Sequence, residues 1–376
     1  MIKVCHVTSA HPKEDVRIFH KECVSLAKAG YDVTLVQHGD SYEKDGVHIV
    51  GFGAVASNRI KRMLFTAKNA YKAALAVDAD LYHLHDPELL PFALKLKKKG
   101  KKVVFDSHEF YAEQILYKRY IPRFLRPVVA KLFDRKQKRI FCKIDGLVFP
   151  CLVEGQNPFE GYCPRIAIIN NVPLLQELYD HYDPSIPKTP RSVCHIGGLN
   201  FNRGITSLVH AANLTDCTIY LGGKFDSADY EAHLRTLPGF SRVEYLGHLN
   251  RQQVLETLQK SQVGIATLLN VGQYNKLWNL PTKVYEYMAL AIPCVLSDTP
   301  YIRQAAEKYR FGICVDPADP QQIAAAIRHL LDHPEEARQM GENGRRAVKE
   351  EFNWGIEEKK LFALYDDLLK EAITRV

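Results

Sequence analysis

The 376-residue chain has only two tryptophans and four methionines, and none of its nine cysteines falls in a C-x-x-C pair. Single cysteines exclude a disulfide framework and argue against a zinc site; they read as reduced thiols in a cytosolic protein. Long apolar runs are missing as well. MALAIPCVL is too short to span a bilayer, and the opening MIKVCHVTSA reads as a buried first strand rather than a secretory leader. Aromatic residues are not interleaved with the basic ones as base-stacking modules require, which argues against nucleic acid as a partner.

What is present is an ordinary globular composition, 46% apolar and 25% charged, in a chain long enough for two cores. Short apolar strands alternate with helical patterns: IKVCHVTS, YDVTLVQ, GVHIVGF, ADLYHLHD, KKVVFDSHE and DGLVFPC, then RSVCHIGGLN, CTIYLGGKF, RVEYLGH, VGIATLL, IPCVLSD and FGICVD. This βαβ rhythm predicts two doubly wound α/β domains with parallel sheets. The boundaries fall at 1–172 for the first domain, 173–190 for a Pro- and Asp-rich linker, 191–355 for the second domain and 356–376 for a terminal helix. A helix is expected from about Val16 to Ala29.

The net charge of +7 is regional. Lys95 to Lys143 holds 16 Lys and Arg against four Asp and Glu, an excess of +12 that leaves the rest of the chain at −5. Within it, Leu125 to Cys142 sets apolar Leu125, Val128, Val129, Leu132, Phe133 and Ile140 among Arg126, Lys131, Arg135, Lys138 and Arg139. Such a helix suits an anionic membrane surface or a phosphorylated acceptor, or simply covers one face of a sheet.

Ligands of open parallel sheets sit beyond the carboxyl ends of the strands, so the residues there carry most weight. After the first strand, His11, Asp15 and Arg17 are available to a ligand, although Asp15 is equally a helix cap and Arg17 a surface residue. His83 and His85 alternate onto one face of ADLYHLHD and with Asp86 could ligate a metal, although core strands share this spacing and no further ligand is evident. His108 and Glu109 end another strand, where they suit acid–base work or hydroxyl recognition. Asp78-Ala79-Asp80 matches the D-x-D pattern of metal-dependent sugar transferases but precedes its strand.

In the second half, Gly197-Gly198 with Arg203, and Gly222-Gly223 with Lys224, each join a strand to glycines and a cation, as phosphate requires. The first of these loops is not G-x-G-x-x-G, which argues against a dinucleotide enzyme. LWNLPTKVYEYMALAIPCVLSD is the most informative segment. Pro281 suits the first helical turn and Asn279 its cap, leaving the amides of Leu280 to Lys283 toward an anion. Helical spacing puts Thr282, Lys283 and Glu286 on one face, where a hydroxyl and a cation suit phosphate and a carboxylate suits a sugar diol. The same segment also reads as a capped helix with an ion pair.

These motifs, in order along nearly the whole chain, resemble the retaining GT-B glycosyltransferases of family 4. The resemblance implies two Rossmann-like domains facing across a cleft, a C-terminal helix crossing back to the first, and sugar transfer from a nucleotide diphosphate donor without metal or cofactor. It matches Glu286 to the ribose-binding Glu of an E-x7-E motif, Arg203 to a diphosphate cation, His108 to a His near the donor sugar, and Gly247, His248 and Leu249 to the segment beside the base. The first Glu of E-x7-E falls at Trp278 and the usual diphosphate Arg at Gly198, so Arg203, Lys283 and the helix start are left to carry the charge. The acceptor, a glycan or lipid-linked sugar in surface polysaccharide or lipopolysaccharide assembly, is expected near His11, Asp15, Arg17, His85 and Glu109. A cytoplasmic enzyme peripheral to the inner membrane face follows. A nucleotide-sugar epimerase, or a nucleotide-sugar-binding protein without activity, are the other readings.

Overall fold

The computed structural model describes residues 1–54, 65–118, 120–274 and 276–373, with side chains to residue 370. They form two compact units, Met1–Asn171 with Gly355–Val376 and Val172–Trp354. Both are α/β with parallel sheets.

The first sheet contains β1 (Lys3–Val7), β2 (Asp32–Gln37), β3 (Tyr42–Lys44), β4 (Val47–Gly51), β5 (Leu81–Leu84), β6 (Lys102–Asp106), β7 (Gly146–Phe149) and β8 (Ile166–Ile168), in the order β3-β4-β2-β1-β5-β6-β7-β8. All neighbours are parallel except β3 and β4. β5 and β7 are buried at every position, as strands covered on both faces must be. The winding reverses between β1 and β5, which brings the loops after these strands side by side.

The second sheet is wholly parallel: β9 (Ser192–Ile196), β10 (Thr218–Gly222), β11 (Val243–Gly247), β12 (Val263–Ala266), β13 (Cys294–Ser297) and β14 (Gly312–Val315), ordered β11-β10-β9-β12-β13-β14. Its reversal lies between β9 and β12. Residues 173–190, read above as a linker, carry a short helix, Leu175–Leu178, within this second unit. Leu178 is fully buried in its core, and the Arg345 guanidinium lies 3.5 Å from the Tyr179 ring centroid.

The helix expected from Val16 begins as a π-helical segment, Val16–Cys23, and continues as a short α-helix, Val24–Lys28. The terminal helix, Trp354–Ile373, buries Leu361, Leu364, Tyr365, Leu368 and Leu369 in the first unit. Gly146 makes room for it, since a Cβ there would stand 3.3 Å from Leu368 and 3.5 Å from Leu364. The basic helix runs Arg126–Phe141, and its expected single stripe divides. Ile140 enters the core, Val129 and Phe133 line a cavity, and Leu125, Val128 and Leu132 stay exposed. Among the described residues, no helix is long and apolar enough to cross a membrane.

Candidate active site

In the second unit the loop after β9 is the meeting point of two cations. Gly197 takes φ +139°, and a Cβ there would stand 3.3 Å from Lys283 Nζ and 3.9 Å from Arg203 Nη1; one at Gly198 would stand 3.6 Å from Arg203 Nε. Arg203 is positioned by a single turn, Phe201–Arg203, whose start is capped when Asn200 Oδ1 accepts from the Arg203 amide. Lys283 reaches the same loop from the helix Thr282–Ala289, with its side chain buried.

The lysine's partner is His195, on β9. His195 Nδ1 faces the Ile265 carbonyl at 3.1 Å and must therefore carry the proton, so Nε2 accepts from Lys283 Nζ at 2.8 Å. No carboxylate among the described residues comes within 4.0 Å of Lys283 or Arg203. Burial first, then the Arg203 guanidinium, push the Lys283 ammonium well below the ordinary lysine range, against the pull of Glu286. Two cations with no counter-charge, one of them desolvated, form a site for an anion.

Other parts of the expected donor site differ. Pro281 is the N-cap rather than a first-turn residue, with φ −57° and ψ 140°, and no side chain, Asn279 included, caps this helix. The buried Leu280 amide is turned toward Tyr285 Oη at 3.4 Å, so it is not offered to a ligand. Thr282, Lys283 and Glu286 do not meet. Lys283 turns into the core, Thr282 is exposed, and Glu286 pairs with Arg251 at 2.7 Å. Gly222-Gly223 is a packing joint and not a second phosphate cradle, because a Cβ on Gly223 would lie 1.8 Å from the Gly197 carbonyl oxygen and one on Gly222 2.8 Å from Leu249. Lys224 and His248 are exposed beside it, and Gly247 turns with φ +68°.

The first unit holds a cavity of about 990 Å³ lined by His11, Asp15, Arg17, His108 and Glu109 together with Tyr111, Gln114 and Asn171. Asp86, weighed in the sequence only as a third metal ligand beside His83 and His85, lines it too. Asp86 Oδ2 accepts from the amides of Ser9 (2.6 Å) and Ala10 (3.2 Å) and from Thr8 Oγ1 (2.8 Å), while Oδ1 faces His11 Nδ1 at 2.9 Å. Burial alone would raise the Asp86 carboxyl; the His11 and backbone hydrogen bonds outweigh it and hold it well below the usual range.

Three of the expected acceptor contacts need correction. Arg17 is only 4% exposed, and its guanidinium is committed to Asp106 (3.0 and 3.3 Å), the Ile169 carbonyl (3.0 Å) and Glu22 (3.1 Å). Asp15 acts as the helix cap, accepting from the Arg17 and Ile18 amides. His85 is fully buried and lies behind His108, with its Nδ1 3.0 Å from His108 Nε2. His11, His108 and Glu109 remain open to the cavity. Sequence reasoning also missed His195, His6, Glu22 and Asp106; comparison across strands would have flagged His6, which stands opposite His83, but not His195, whose neighbouring strands carry no histidine.

Residues 17–171 match the family described as Glycosyltransferase Family 4, and residues 180–347 match Glycosyl transferases group 1. The chain belongs to the GT-B glycosyltransferases. Sucrose-phosphate synthase of Thermosynechococcus elongatus superposes on this glycosyltransferase with a TM-score of 0.79 at 17% identity, over 99% of this chain and 100% of that one. WaaG, a glycosyltransferase involved in lipopolysaccharide biosynthesis, gives 0.70 at 14% identity, over 98% and 99%. At such identities the likeness is one of fold. An MMP alpha-(1->4)-mannosyltransferase of Mycolicibacterium hassiacum is 34% identical over 102 residues, 25% of this chain and 24% of that protein, so the match spans about a quarter of the curated relative's length.

Proposed function

We propose that this GT-B glycosyltransferase moves a hexosyl group, with retention at the anomeric carbon, from a nucleotide diphosphate sugar to a glycan or lipid-linked acceptor in surface polysaccharide or lipopolysaccharide assembly. The observation that carries the reading is the pair Lys283 and Arg203 at the Gly197-Gly198 turn, which has no carboxylate partner among the described residues. Charge develops on the β-phosphate as the glycosidic bond breaks, and preorganised cations in a water-poor site stabilise that charge better than the ground state. The arriving diphosphate supplies the counter-charge that Lys283 lacks. The acceptor hydroxyl gives its proton to the departing phosphate on the same face, with no side-chain nucleophile and no metal bridging the diphosphate.

A structure of Anabaena HepE with UDP-glucose, of similar fold, supports a nucleotide sugar as partner. His11, His108 and Glu109 form the acceptor side, in the first unit's cavity. Beside it, exposed Leu125, Val128 and Leu132 stand among Arg135, Lys136, Arg139 and Lys143. That mixture supports docking on an anionic membrane, where a lipid-linked acceptor resides.

A thermal-shift panel of nucleotide sugars, run with and without EDTA, tests the donor assignment. The proposal expects stabilisation by the diphosphate sugars of one base, unchanged by the chelator. Interconversion of sugars without an acceptor would instead identify an epimerase, and binding without any turnover a protein that has lost its chemistry.

A further inference from the structure

We propose that His6, Glu22, His83 and His85 form a buried binding site for one divalent transition-metal ion, zinc by the chemistry of the donors, separate from the nucleotide-sugar site. All four residues are fully buried. Each brings one ligand atom, and these atoms lie within 4.8 Å of one another.

Topology assembles the set. β1 and β5 are parallel neighbours in which His6 stands opposite His83, and His85 follows two residues later on the same face. Glu22 comes from the π-helical segment Val16–Cys23. The three atoms His6 Nδ1, His85 Nε2 and Glu22 Oε2 form a triangle with sides of 2.9, 3.8 and 3.9 Å. The point equidistant from its corners lies about 2.1 Å from each, the length of zinc–nitrogen and zinc–oxygen bonds.

The hydrogen bonds point the same way. His83 Nε2 and Glu22 Oε2 are buried without a hydrogen-bond partner, and Glu22 Oε1 has only the Arg17 ion pair at 3.1 Å, outside hydrogen-bond geometry. Meanwhile the other nitrogen of every histidine in the set is held. Tyr365 Oη lies 2.8 Å from His83 Nδ1 and 3.1 Å from His6 Nε2, and His85 Nδ1 lies 3.0 Å from His108 Nε2. Imidazoles held through one nitrogen, with the other left for a ligand, are the usual support of a metal centre. Arg17, 3.1 Å from Glu22 Oε1, is balanced by its pairing with Asp106. In the metal-free protein one of His6 Nδ1 and His85 Nε2, 2.9 Å apart, carries a proton; when the ion binds, that proton moves to the other nitrogen of the same ring and leaves the lone pair to the metal.

Three nitrogens and one carboxylate in a closed, buried site suit zinc; magnesium and calcium prefer all-oxygen sites. Single cysteines gave no hint of this, because none of the ligands is a thiolate. Through His85 the ion would also fix the His108 ring at the cavity, which makes His85 a positioning residue.

The test uses the full chain without a histidine tag, grown with added zinc and analysed by inductively coupled plasma mass spectrometry after gel filtration. About one zinc per chain is expected. Glu22→Gln and His83→Gln, which nearly keep side-chain volume, should lose it, whereas His108→Ala, outside the ligand set, should keep it. Where the ligand variants fail to fold, wild-type protein stripped with dipicolinate and reloaded with Co²⁺ decides the matter by the visible absorption of tetrahedral cobalt. Zinc below roughly a tenth of an equivalent with no cobalt band, or metal that survives both ligand changes and is lost in His108→Ala, overturns the proposal.

Discussion

Lys283 is under two opposed demands: its cation is needed by a diphosphate, yet in the free protein it is buried beside Arg203 with His195 as its hydrogen-bond partner among the described residues. Lys283→Met keeps the volume and removes the charge. We expect thermal stability to hold or rise in the absence of ligand, because a buried cation without a carboxylate partner is lost, and donor affinity to fall by about tenfold to a hundredfold, the worth of a charge-assisted hydrogen bond. Calorimetric titration and thermal melts read the two effects separately. The pH dependence has a definite sign. A lysine whose pKa is lowered in the folded state binds fewer protons there than in the unfolded chain, so stability rises with pH between the lowered value and about 10.4, and is lost as pH falls through that window. The wild-type deficit against Lys283→Met should therefore shrink as melts are taken from about pH 8 to about pH 10. Diphosphate binding in that range should draw a proton from buffer, which titrations in buffers of different ionisation enthalpy detect. Sequence spacing identified Lys283 and Arg203, but not that the lysine turns from Glu286 to His195, because a partner 88 residues away has no local signal. Arg17 was misread for the same reason: Asp106, 89 residues on, claims it.

At the scale of elements, the glycine loops separate those required by packing from those required by backbone angle alone. Gly204 has φ +72° and a Cβ there would meet the Thr267 carbonyl oxygen at 1.9 Å; Gly223 has φ +138° with a clash of 1.8 Å; Gly247, at φ +68°, opens onto free space. Alanine at 204 or 223 should lower stability by more than about 2 kcal/mol and disturb the Gly197 turn, whereas Gly247→Ala should cost only the left-handed strain of roughly 1 to 2 kcal/mol. Denaturant melts of the three variants test that order. Twelve of the strands were legible, because continuous apolar runs in a βαβ rhythm have few other uses. β3 and β8, each three residues long, were not. For β3 a signal existed: Asp45-Gly46 before Val47 takes positive φ at both positions, 51° and 79°, as a two-residue hairpin turn demands. The helix start was misplaced by two residues, with the cap at Pro281 and not Asn279, because proline is compatible with the cap as well as the first turn and only the backbone angle distinguishes them.

For the whole molecule, the two series of strands foretold two doubly wound units, and the regional charge foretold where a surface patch would fall. What composition did not carry is how the apolar residues of the helix Arg126–Phe141 are divided, since a stripe that feeds the core and one that faces water look alike in sequence. Exposed Val128 and Leu132, at 55% and 60%, predict that the protein co-sediments with anionic vesicles more than with neutral ones, that the difference falls as salt rises, and that Val128→Glu with Leu132→Glu weakens binding without altering the fold. The central claim, that Lys283 and Arg203 stabilise a departing diphosphate, is tested most directly by turnover. Release of nucleoside diphosphate from the donor that stabilises the protein should be measured, in EDTA, for wild type, Arg203→Ala and Lys283→Met. The account predicts release by the wild type and a loss of about a hundredfold to a thousandfold in kcat/KM for either variant. Turnover unchanged in both variants would contradict it.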